Sequence, residues 1–264
     1  MADQSFANRY ETTLVPVIFR PWAQELIRRA APSDGENILD LACGTGAVSR
    51  EIILSNVKPG SLTGADMSAD MLAVAKARAK AAGIAADWVE AEAGQLPFDD
   101  NRFDVAFCQQ ALQFFPDRVG ALRELRRVMV PGGRVAFCVS QDLSLNPLLA
   151  AQAAALDKNN GPEAGAAVRA ICSLTDGDEI GALFEDAGFS DVRVDSVSLA
   201  LSHPDGRAFA EGALGGMHTG DKLSQLDAER QQRCIQDFLT GLGDCYDGVA
   251  LRFPHVSNVI TARA

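Results

Sequence analysis

Strand-length apolar runs alternate with helical patterns through the first 140 residues, and this alternation limits the chain to few architectures. The runs are Asn37–Ala42, Ser61–Asp66, Asp87–Ala91, Phe103–Cys108 and Arg134–Val139. Each closes in a turn, and most lead into residues spaced for one helix face. Strands separated by a helix do not join as hairpins; they pair in parallel through crossovers that cover both faces of a sheet with helices. The helices carry boundary signals of their own. PVIFRPWAQELIRRA leads up to the first strand, Ser68 is placed to cap ADMLAVAKARAKAA before Gly83, and Asp117 to cap RVGALRELRRVMV, which Pro131-Gly132-Gly133 stops.

The pattern changes after Ser140. Residues 142–170 are Ala-rich and helical with a break at Gly161-Pro162, and LTDGDEIGALFEDAGF reads as a capped helix ending at Gly188. DVRVDSVSLALS alternates as a strand does, residues 205–250 mix helix with Gly-bearing loops, and VSNVITARA alternates again and can close the sheet. A single domain over residues 1–264 is expected, with its core in 1–140. The late connections 141–175 and 203–252 are long enough to form a lid.

Composition narrows the partners. The chain has 264 residues, 47% of them hydrophobic, so it can bury a large core. Its 24 Lys+Arg against 35 Asp+Glu give a net charge of −11, which repels nucleic-acid backbones and anionic lipid. Arg123, Arg126 and Arg127 suit the wet face of one helix and make no groove. A small molecule is therefore the expected partner, without nucleic acid or membrane insertion, and a homodimer is left open. The six cysteines form no CxxC pair and read as reduced thiols in the core. MADQSFANRYE lacks the basic and apolar regions of a leader, and no apolar stretch approaches ~18 residues, so a cytoplasmic setting is expected. His203, His218 and His255 have no metal-ligand spacing with another His or Cys, and no metal is expected.

The chemistry concentrates at ILDLACGTGAVSREI, residues 38–52. Small residues between a strand and a helix let the backbone approach a ligand, and the helix start offers unpaired N–H groups. A dinucleotide fingerprint needs a third glycine, which Gly44-Thr45-Gly46-Ala47-Val48-Ser49 lacks. Asp40 at the mouth of the turn repels a pyrophosphate. It attracts an ammonium group, by a few kcal/mol at most for charges ~4 Å apart in a partly screened site. The ligand indicated is a nucleoside with a cationic tail.

With this motif the chain resembles the class I S-adenosylmethionine-dependent methyltransferases, and among them the group similar to the ubiquinone/menaquinone-biosynthesis methyltransferases. Asp40-Leu41-Ala42-Cys43-Gly44-Thr45-Gly46 looks like their first motif, with Ala42 in place of its first glycine. Asp66 in SLTGADMS, VEAEAGQLPFDDNRFD, and FDVAFCQQALQFFPD followed by LRELRRVMVPGGRVAF match later motifs, so the resemblance covers roughly residues 9 to 140. It implies a Rossmann-like, doubly wound α/β fold. The sheet would have seven strands, mostly parallel with an antiparallel C-terminal strand, plus helical lid insertions. It also implies S-adenosylmethionine as cofactor, with S-adenosylhomocysteine as product. By resemblance, Asp40, Ala42, Gly44, Thr45 and Gly46 hold the methionine part. Asp66 takes the ribose hydroxyls, Met67 lies against adenine, Glu92 and the Ala93 amide meet the adenine edge, and Cys108 and Gln109 lie near the cofactor.

Other residues are placed more loosely. Tyr10 stands where related proteins bring a residue over the cofactor, or else packs on the N-terminal helix. Gln110, Gln113 and Phe114 follow the fourth strand at its carboxyl end, where open α/β sheets bind ligands, and are expected on the substrate side. Gln110 has a helix cap as its plainer role. Asp40 has the plainer role of capping the next helix, although Gly44 to Gly46 separate it from the regular turns. Asp104 is left out of the site as structural. His218 is the candidate general base. The activity expected is methyl transfer to the oxygen, carbon or nitrogen of a small molecule. A cofactor-binding protein without turnover is the alternative, and a nicotinamide-dependent oxidoreductase a more distant one.

Overall fold

The computed structural model describes residues 6–216 and 223–264. Its strands are β1 (Asn37–Leu41), β2 (Ser61–Asp66), β3 (Asp87–Glu90), β4 (Phe103–Gln109), β5 (Met129–Ser140), β6 (Ser190–His203) and β7 (Leu251–Arg263). They form one seven-stranded sheet in the order β3-β2-β1-β4-β5-β7-β6. β1 pairs in parallel with β2 and β4, β2 with β3, and β4 with β5. The Gly132 amide donates to Ala264 O and the Gln141 amide to Val256 O, both at 2.9 Å, so β7 descends as β5 climbs and is antiparallel to it. From β1 the order runs through β2 and β3 in one direction and through β4 and β5 in the other. The crevice at the carboxyl ends of β1 and β4 is thus the switch point of the sheet.

The helices are α1 (Phe6–Arg9), α2 (Arg20–Ala30), α3 (Ala47–Leu54), α4 (Ala69–Ala81), α5 (Arg118–Val128), α6 (Pro147–Asn160), α7 (Ala166–Ala170), α8 (Gly177–Asp186), α9 (Gly206–Gly216) and α10 (Ala228–Gly241). The predicted caps are present. Ser68 Oγ accepts from the Met71 amide at 3.3 Å, Asp117 from Gly120 at 2.8 Å, and Asp176 Oδ1 from Asp178 and Glu179. Two boundaries differ from expectation. α5 stops at Val128 and β5 begins at Met129, because Val130 precedes Pro131 and is pushed to extended backbone, where Met129 pairs with Phe103. The N-terminal helical region takes in Phe6–Arg9, well before the expected PVIFRPWAQELIRRA, and between α1 and α2 a π-helical stretch, Tyr10–Phe19, takes in Pro16. Pro16 donates no N–H and would break an ordinary α ladder there.

By density of contacts the chain divides into two compact units. One combines the N-terminal segment up to Ile18 with Ser140–Ser173 and Ser198–Ser257, and so takes in most of both late connections. There α10 buries Cys234, Ile235, Phe238 and Leu239, and α6 buries Leu148, Leu149 and Leu156. The other unit, Phe19–Val139 with Leu174–Val197 and Asn258–Ala264, holds β1 to β4 and the first motif. Its core gathers Leu39, Phe103, Leu125, Phe137, Phe184 and Ile260, with the Phe137 and Phe184 rings edge-on at 5.1 Å. Burial of each such side chain contributes about 1.5–3 kcal/mol.

Candidate functional site

β1 ends in Asp40 and Leu41, and the chain then turns through three left-handed residues, Ala42 (φ 52), Gly44 (φ 52) and Gly46 (φ 79). Left-handed backbone suits glycine, and at Ala42 it costs roughly 1–2 kcal/mol. Gly46 is the N-cap of α3 and offers no side chain, so Asp40 supplies the missing acceptor. Its Oδ2 takes the Ser49 amide at 3.0 Å and the Ser49 hydroxyl at 2.7 Å. The plainer role foreseen for Asp40 is therefore real, because the end of β1 lies beside the first turn of α3 despite the glycines between them in sequence. Asp40 Oδ1 takes no hydrogen bond from a described residue. Only 1% of Asp40 is exposed, and burial raises its carboxyl from the usual 3.8 to about 6 against the pull of Ser49. Beside it Thr45 is buried with its hydroxyl unpartnered among the described residues, while its carbonyl accepts from Arg50.

β2 brings a second carboxylate to this turn. Asp66 Oδ2 accepts the Gly44 amide and Oδ1 the Ser68 amide, each at 2.8 Å. Burial raises its carboxyl, and these two donors oppose the rise. A carboxylate has about four lone-pair sites, so each oxygen can take one further hydroxyl. Met67 next to it is 72% exposed. Trp88 of β3 packs against the turn: a Cβ on Gly46 would sit 2.5 Å from its ring and one on Gly64 2.6 Å. The glycine at 46 is thus required by an indole as well as by backbone conformation. Between the two carboxylates the buried Cys43 thiol is pushed well up, by desolvation first and then by Asp40 and Asp66.

The loop after β3 carries Glu92, exposed, and Ala93, which packs on the core. Glu92 O accepts the Gln95 amide at 3.0 Å. This loop is held from α5 by a residue first read as lying on a wet face. Arg127 donates to Leu96 O at 3.1 Å, Phe98 O at 2.9 Å, Asp100 at 2.6 Å and Glu124 at 2.8 Å, and Glu124 also accepts the Leu96 amide. Arg123 in turn donates to Asp186 O. Asp104, set aside as structural, ties β4 to β1 by accepting the Asn37 amide at 2.8 Å.

At the carboxyl end of β4 the three glutamines part company. Gln109 Nε2 donates to Phe19 O at 2.6 Å, and Gln110, at φ 55, donates its amide to Cys138 O and its Nε2 to Cys138 Sγ. Gln113 is only 5% exposed, and neither Oε1 nor Nε2 has a partner among the described residues. Phe114 beside it is 44% exposed. Cys108 is fully buried in the core.

Asp40, Ala42, Gly44, Thr45, Gly46, Asp66 and Met67 are thus drawn together by two adjacent strand ends, while Cys108 and Gln109 end β4, the strand on the other side of β1, and Gln110, Gln113 and Phe114 follow it. Tyr10 belongs to the other unit, with its ring 6.2 Å from that of Phe6. His218 lies outside the described residues. His255 is buried and pushed down to about 4 by desolvation, and His203 Nδ1 sits 2.6 Å from Asp205 O. A cleft of about 710 Å³ in Tyr10's unit, lined by Lys158, Arg230, Arg233 and Asp237 among others, involves none of the predicted site residues.

The ubiE/COQ5 methyltransferase family model matches residues 5–202. A 2-phytyl-1,4-naphtoquinone methyltransferase of Synechococcus elongatus is 36% identical over 124 residues, 46% of this chain and 52% of that protein. The chain therefore spans about half the length of the first such relatives. A ubiquinone/menaquinone biosynthesis C-methyltransferase UbiE of Roseobacter denitrificans is 31% identical over 198 residues, 70% of this chain and 78% of that one. Among solved structures, phosphoethanolamine N-methyltransferase 2 of Haemonchus contortus, in complex with phosphomonomethylethanolamine and S-adenosylhomocysteine, has a TM-score of 0.58 at 19% identity over 92% of this chain and 52% of that one. The matched span contains the Asp40 turn, Asp66 and the loop of Glu92 in order, and the chain belongs to the ubiE/COQ5 methyltransferase family.

Proposed function

We propose that this chain transfers a methyl group from S-adenosylmethionine to a small aromatic acceptor derived from a quinone. The observation that carries the cofactor reading is the turn itself. Two carboxylates, Asp40 and Asp66, face one loop; among the described residues Asp40 Oδ1 and the buried Thr45 hydroxyl are unspent, and Asp66 keeps room for two hydroxyls. Those vacant positions fit an ammonium, a carboxylate and a ribose. They do not fit a pyrophosphate, which two carboxylates would repel. Quinone-derived acceptors are favoured because the relatives named above carry naphtoquinone, ubiquinone and menaquinone in their names.

Bound there, the cofactor supplies a methyl group made electrophilic by its sulfonium. The protein's task is placement. Gly44 to Gly46 and Thr45 receive the methionine part, Asp40 the ammonium, Asp66 the ribose, and Met67, Glu92 and Ala93 the adenine. Fixing two reactants in line is worth on the order of 7–11 kcal/mol in favourable intramolecular cases. A general base adds roughly 10² to 10⁴ where the acceptor must lose a proton, and His218 is our candidate. The net charge of −11 favours a small molecule over nucleic acid as partner. Among the described residues no helix is long and apolar enough to cross a membrane, and the free cysteines suit a reducing cytoplasmic setting.

Calorimetry with S-adenosylmethionine, S-adenosylhomocysteine and NADH tests the cofactor. The first two should bind and the third should not; tight NADH binding without adenosylmethionine binding would reverse the assignment. Incubation with labelled methyl donor and reduced naphthoquinones, read by mass spectrometry, tests transfer. Cofactor binding with silence across small-molecule classes would instead favour a binding protein without turnover.

A further inference from the structure

We propose that the side-chain amide of Gln113 seats the methyl acceptor by pairing with a hydroxyl group on it; this rests on the methyl-transfer reading above. Burying an amide without partners is costly, and folded proteins rarely leave both of its polar atoms unmet. Gln113 is 5% exposed and both are unmet among the described residues. The neighbouring amides show that this is not general to the segment, since Gln109 is spent on Phe19 O and Gln110 on Cys138. Arg118 Nη2 donates to Gln113 O at 3.2 Å, so the backbone that carries the amide is held in place.

The position suits a second ligand. Gln113 follows the carboxyl end of β4, while the Gly44 turn follows the carboxyl end of β1, and these two strands pair directly at the switch point of the sheet. One strand end serves the cofactor and the other is left for the acceptor, with exposed Phe114 the next residue in the chain.

The amide also selects a class of group. Nε2 donates and Oε1 accepts, so a ligand that satisfies both must accept and donate. A phenolic or enolic hydroxyl does so through one oxygen. A carbonyl, an ether or a carboxylate leaves Oε1 unpaired, and an ammonium leaves Nε2 unpaired. Gln113 therefore discriminates for the hydroxyl-bearing form of an acceptor against its carbonyl or alkylated form.

The test compares wild type with Gln113→Leu, a near-isosteric change that removes only the amide. Anaerobic binding of 1,4-naphthalenediol and of 1,4-dimethoxynaphthalene is measured in the presence of S-adenosylhomocysteine, together with the melting temperature of the free protein. Wild type should prefer the diol at least tenfold. Gln113→Leu should lose that preference, melt no lower than wild type, and bind the cofactor within twofold of wild type. A wild type without preference, a variant that keeps it, or a variant that melts lower with its preference intact would overturn the proposal. Failure of cofactor binding in wild type would instead strike the methyl-transfer reading.

Discussion

Asp66 Oδ2 accepts the Gly44 amide at 2.8 Å, which makes the end of β2 and the turn after β1 one mechanical piece. The residue proposed to hold the ribose thus also shapes the loop proposed to hold the methionine, and neither can be altered without the other responding.

Asp66→Ala should weaken S-adenosylmethionine binding by about 1–3 kcal/mol, through loss of a charged acceptor and release of Gly44. Asp66→Asn keeps one carbonyl oxygen and should lose less. Calorimetry on both folded variants reads the difference, and equal affinity to wild type in Asp66→Ala would contradict the assignment.

Asp40 makes stability and binding respond to pH in opposite directions. Its folded carboxyl titrates at about 6 against the usual 3.8, so the folded state holds the proton more tightly and stability falls as pH rises from 3.8 through 6. The loss is at most ~3 kcal/mol. A cationic cofactor prefers the ionised form, so its affinity should drop as pH falls below about 6. In Asp40→Asn, urea melts should flatten across pH 4 to 7 and cofactor affinity should fall and lose its acid limb; a wild type with no pH response between 4 and 7 would refute both.

Gly46→Ala places a methyl group 2.5 Å from the Trp88 ring at a φ of 79, and should cost about 2–4 kcal/mol of stability. Trimming the ring in the double variant with Trp88→Leu should return the steric part alone. Full additivity of the two changes in thermal melts would show that the contact does not matter.

Ala42→Gly should be neutral or stabilising by up to ~1 kcal/mol, the opposite of the usual sign for that change, because φ is 52. Melting temperatures decide it, and a clear loss would mean that the alanine methyl is needed for packing.

Much of the fold was legible because its signals are local. Apolar runs of strand length placed β1 to β4, and Ser68 and Asp117 declared their helices by residue type alone. Boundaries set by tertiary pairing were not: Pro131 bars helix at Val130, but only the pairing with Phe103, far earlier in the chain, makes Met129 part of β5. At the site, Asp40 is read from the charge it brings to the turn and Asp66 from the family resemblance, yet the contact of Asp40 with Ser49 needed the strand and helix to be brought together. Arg127 was missed for a related reason. Its helical spacing reads as a solvent face, whereas its partners at Leu96 and Phe98 are 31 and 29 positions earlier in the chain.

Trp88 rests against Gly46 and Gly64, while the chain's second tryptophan, Trp22, is sealed in the interior. One indole therefore touches the turn proposed to hold the cofactor, and the other is closed off from solvent. Intrinsic fluorescence becomes a label-free gauge of occupancy: emission from Trp88 should shift as the turn fills, with Trp22 a constant background in the same cuvette.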